Sequence, residues 1–70
     1  MRRAWAWTNT KDDALECARE RQSATGREHF AVFEAGSRLW LVTEDRPQPH
    51  REAYTATGRR LRQHPRETER

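Results

Sequence analysis

The spacing of apolar residues changes several times along the 70-residue chain, and each change marks an element. Arg3-Ala4-Trp5-Ala6-Trp7-Thr8 alternates small and large side chains, which predicts a short strand with Trp5 and Trp7 on one face. Thr10 stands three residues before Asp13, a capping-box spacing with Asp in place of the preferred Glu or Gln, and Asp12 and Asp13 favour the positive end of a following helix. Gly26 supplies the stop. Projected at about 100° per residue, positions 11–25 gather Ala14, Leu15, Cys17, Ala18, Gln22 and Thr25 into one arc, with Arg21 among them. Asp12, Glu16, Arg19, Glu20 and Ser23 lie opposite. Alanines let such a helix approach a sheet closely but bury little area, so the bulk must come from the sheet.

The strongest local pattern is a hairpin. Positions 28–34 and 38–44 are rich in β-branched, aromatic and aliphatic residues and flank Ala35-Gly36-Ser37, where Gly36-Ser37 suits the centre of a type II′ turn. That turn pairs Ala35 with Arg38 and fixes a register of Glu34 with Leu39, Phe33 with Trp40, Val32 with Leu41, Ala31 with Val42 and Phe30 with Thr43. One face then carries Phe30, Val32, Leu39 and Leu41, and the other Ala31, Phe33, Trp40 and Val42. Both faces are apolar, and a single helix covers only one. The spare face must be hidden by the first strand's neighbours, residues 50–61, a second copy or a partner.

Asp45-Arg46-Pro47-Gln48-Pro49 breaks any element, and Glu52–Thr57 fits a short edge strand, with a frayed helix as the alternative. From Gly58 onward Leu61 is the one large apolar residue. The expected organisation is a single domain over residues 1–58 and a mobile basic tail over 59–70. The expected fold class is α+β, in the order β-α-β-β, with one amphipathic helix on a short, mainly antiparallel sheet and a short fourth strand.

Composition narrows the function classes. A chain this short builds a thin core, and Cys17, its only cysteine, rules out a disulfide within the chain. Cys17, His29, His50 and His64 lack the paired spacing of a zinc site, so neither metal nor cofactor is expected. With no apolar run of about 18 residues and no leader pattern, the sequence predicts a cytoplasmic protein without a membrane partner. The net charge of +3 is uneven: residues 1–45 hold seven basic and eight acidic side chains, and residues 46–70 seven arginines against three glutamates.

No catalytic constellation stands out. The hairpin register places His29 opposite Glu44, the spacing of a solvated charge pair, and Cys17 reads as a small hydrophobe on the inner edge of the helix. Gly26, Gly36 and Gly58 stand singly, without a phosphate-binding loop. Binding is the better-supported class, and two surfaces compete. Trp5, Trp7, Phe33, Trp40 and Val42, rimmed by Asp12, Glu16 and Glu20 on the helix, predict an aromatic docking face for a larger protein or a second copy. Arg59, Arg60, Arg62 and Arg66, with the tryptophans, form the alternative, a nucleic-acid contact.

In its short length, α+β build, charge-rich composition and lack of a catalytic motif, the chain resembles the small inhibitor and adaptor proteins of phages and mobile elements, anti-CRISPR proteins among them. The resemblance lies in general format. It implies a non-enzymatic inhibitor or adaptor whose partner is a host nucleoprotein machine, and it assigns no residue a role. The positive net charge departs from the acidic, DNA-mimicking members of that group.

Overall fold

A computed structural model describes residues 6–61. Four strands and one helix follow in the order β1 (Ala6–Thr8), α1 (Lys11–Thr25), β2 (Phe30–Glu34), β3 (Leu39–Thr43) and β4 (Ala53–Thr55). The sheet is antiparallel throughout, with strands ordered β1-β3-β2-β4, and α1 lies across one face, mainly over β3 and β2. This is the expected α+β domain, with the short fourth strand at the edge beside β2.

Local chemistry sets the ends of α1. Thr10 is extended, and its side-chain oxygen accepts a hydrogen bond from the Asp13 backbone N–H at 3.1 Å, satisfying one of the free donors of the first turn. At the other end Gly26 adopts φ 77° and donates its N–H to the Gln22 carbonyl, the left-handed stop that a side chain would strain. Only Ala14 and Ala18 of the helix are fully buried.

The β2–β3 register agrees with the sequence pattern at all five pairs. The turn does not. Residues 35–38 form a four-residue loop closed by Arg38 N–H donating to the Glu34 carbonyl at 2.7 Å, so Ala35 and Arg38 do not pair. The left-handed conformation falls on Arg38 at φ 62°, not on Gly36 as a type II′ turn requires.

β4 is followed by a tight reversal. Gly58, at φ 93°, closes a turn from Thr55, after which Thr55 N–H donates to Arg59 O and Leu61 N–H to Ala53 O. Arg59–Leu61 therefore line the outer edge of β4 and belong to the folded unit, three residues beyond the boundary that the drop in apolar content at Gly58 implies. The rest of the expected tail, residues 62–70, lies outside the described residues.

Two substitutions probe these local devices by urea denaturation. Arg38→Gly removes the penalty of a side chain in the left-handed region and raises stability by about 0.5–1 kcal/mol. Thr10→Ala removes the helix cap and lowers it by about 1 kcal/mol.

Candidate functional site

The two sheet faces differ in what covers them. Beneath α1 lie Ala31, Val42 and Trp40, with Phe33 and Tyr54 packed alongside. Trp40 is the hub: its ring centroid stands 5.1 Å from that of Phe33 and 5.9 Å from that of Tyr54. Val42 has no solvent exposure and Trp40 retains 9%. The aromatic face expected to dock a partner is thus the face the helix occupies. Large rings need small partners, and Ala14 and Ala18 supply them. Trp40 and Val42 are therefore enclosed beneath α1, away from any partner, and Phe33 on the same face is half-buried.

The opposite, outer face is covered unevenly. Over β2 and β4, Phe30, Val32 and Ala53 are buried with Leu61 packed against them, and the Arg46 guanidinium lies 5.7 Å from the Phe30 ring. Arg51, ion-paired with Glu34, holds the segment that follows the prolines against the end of β2. Residues 46–51 and Leu61 therefore hide part of the spare face. Over β3 and β1 the cover stops. Leu39 and Leu41 are half-buried, and Trp7, paired in register with Leu41, is 51% exposed, the only large hydrophobic side chain so exposed among the described residues. A shallow groove of about 220 Å³ is lined by Val32, Leu41, Arg46, Pro47 and Arg51 among others.

The remaining sequence candidates are scattered. Asp12, Glu16 and Glu20 are exposed on α1, on the far side from the sheet and hence away from Trp7. Arg59 and Arg60 are exposed beside β4, at the other end of the sheet from β1. Trp5, Arg62 and Arg66 lie outside the described residues. Leu39 and Leu41, already grouped on one face by the register, and Arg46 and Pro47 beside them are not among the sequence candidates for the site. Their signal is the alternation along β3, which puts Leu39 and Leu41 on the face away from Trp40, and that face is the outer one because Trp40 lies under the helix.

His29 does not form the expected pair with Glu44, which turns instead to Arg27 at 3.4 Å. His29 is 1% exposed; its backbone N–H donates to Gln22 Oε1, and its Nδ1 lies 2.9 Å from the Arg27 carbonyl. A carbonyl only accepts, so Nδ1 carries a proton and the ring serves as a structural tie at the start of β2. Cys17 is half-buried against the core. Among the described residues no group of three or more His, Cys, Asp or Glu is placed to hold a metal ion, and no helix is long and apolar enough to cross a membrane.

No family model, curated protein or solved structure matches the chain.

The burial difference separates the tryptophans energetically. Trp40→Ala leaves a cavity beneath α1 and costs about 3–5 kcal/mol, enough to unfold most of a domain this small, whereas Trp7→Ala stays within about 0.5 kcal/mol of the parent. Urea titration followed by circular dichroism measures both.

Proposed function

We propose that the chain is a non-enzymatic protein-binding module, an inhibitor or adaptor that docks its outer sheet face onto a larger protein. The observation that carries this reading is the exposed Trp7 beside half-buried Leu41 and the adjoining groove. A tryptophan left half in water on an apolar sheet face has area to bury, and such residues supply a large share of binding energy when a partner excludes the water around them. Arg46 and Arg51 at the groove wall give that face a polar rim, the usual anatomy of a docking patch. The general build, like that of the small anti-CRISPR-type inhibitors, favours a host nucleoprotein machine as the partner.

The competing nucleic-acid reading uses Arg59 and Arg60, on the opposite edge of the sheet from Trp7. That separation weakens it, because base stacking and phosphate contact would fall on different sides of the molecule.

The two readings part in one experiment. Tagged protein is used to capture partners from a nuclease-treated lysate, and crosslinking maps the contact. Docking predicts crosslinks around Trp7 and Leu41, at least tenfold weaker capture by a Trp7→Ala/Leu41→Gln variant that keeps its fold, and unchanged capture by Arg59→Ser/Arg60→Ser. The opposite pattern, with steeply salt-dependent binding to single-stranded DNA, would overturn the docking reading.

A further inference from the structure

At the hairpin end of the sheet, where β2 runs out beside the segment leading into β4, an open cleft of about 510 Å³ is lined by Phe33, Glu34, Ala35, His50, Arg51 and Glu52. That is room for a small ligand or one long side chain. The backbone bond from Phe33 N–H to the Glu52 carbonyl, at 2.9 Å, carries the β2–β4 ladder one pair past Val32 and Ala53. Phe33 and Glu52 therefore stand opposite each other with their side chains on the same face of the sheet.

Both side chains are half-buried, and each is held by a neighbour. The Phe33 ring rests against Trp40 with 5.1 Å between centroids, and Glu52 Oε2 accepts a hydrogen bond from the Tyr54 hydroxyl at 3.2 Å. The charges around them are unevenly matched. Arg51 is ion-paired with Glu34, and Lys11 of α1 sits over the Tyr54 ring, its Nζ 4.3 Å from the centroid. Among the described residues Glu52 has no ion pair, so a chain of net charge +3 keeps here a carboxylate that no cation of its own answers. A carboxylate partly withdrawn from water gains more from an opposite charge than one at the open surface.

We infer that this cleft is a binding site for an organic cation, a guanidinium or ammonium group on a short hydrocarbon stem, with the charge meeting Glu52 and the stem lying against Phe33. The pairing of ring and carboxylate selects that class. An aromatic ring attracts a weakly hydrated cation and packs on hydrocarbon, whereas a hard metal ion needs several oxygen ligands and an anion is repelled by Glu52. Because Trp40, Tyr54 and the strand ladder already hold the two side chains, binding has little left to order. The same chemistry is carried by an arginine or lysine side chain of a partner and by a free alkylamine or alkylguanidine. Neither Trp7 nor Leu41 lines the cleft, so the site does not rest on docking through the outer face.

Amide chemical-shift titrations of isotope-labelled protein test the assignment, with propylguanidinium, its uncharged analogue propylurea, and a capped glycine-arginine-glycine peptide as probes. The expected result is saturable shifts centred on residues 33–35 and 50–52 with both cations, at a dissociation constant on the order of 1 mM, and none with propylurea. Glu52→Gln, whose amide oxygen still accepts from Tyr54, and Phe33→Leu each weaken binding about tenfold, and the dispersion of the same spectra verifies that each variant folds. A peptide that binds about tenfold tighter than propylguanidinium supports a partner's side chain as the source of the cation, and equal affinities support a free one. No saturable shift with either cation, undiminished binding by Glu52→Gln, or shifts spread evenly over the exposed carboxylates of α1 would each overturn the site.

Discussion

The contact on which the rest of this structure depends is the seating of Trp40 beneath two alanines. A helix bearing Leu or Phe at positions 14 and 18 would stand too far from the sheet for the indole to remain enclosed, and the Phe33–Trp40–Tyr54 cluster would lose its roof. With Ala14 and Ala18 there, large side chains below meet small ones above, and most of the aromatic mass of the described residues is committed to internal packing. The same contact decides which sheet face is open. Because Trp40 and Val42 point toward α1, Leu39, Leu41 and Trp7 must point away from it.

Hydrogen-bond and steric rules of short range were readable from the residues alone. Thr10 and Gly26 bound the helix as their chemistry dictates, and the alternation through Phe30–Glu34 and Leu39–Thr43 fixed the pairing of the central strands. Which face the helix takes was not readable, because period-two alternation distinguishes faces only when one of them is polar. β1 spans three residues, too few for its own pattern to specify a partner strand, so the position of Trp7 opposite Leu41 emerged only with the sheet.

The segment after the hairpin was the other blind spot. Asp45–Arg51 and Arg59–Leu61 are polar, and polar stretches read as solvent-facing loops and tails. Here they cover apolar surface with unusual materials: a guanidinium over Phe30, an ion pair from Arg51 to Glu34, and one leucine. Arginine hides hydrocarbon with its stem and keeps its charge in water, so hydropathy counts it as exposed while geometry counts it as cover.

The strip of chain laid along β4 changes what that border of the sheet offers to other molecules. A sheet edge exposes unpaired N–H and C=O groups that can template another chain, and short or charged segments laid along it discourage such pairing. With Arg59 and Arg60 exposed along β4, that border presents guanidinium charge where a bare strand edge would otherwise stand.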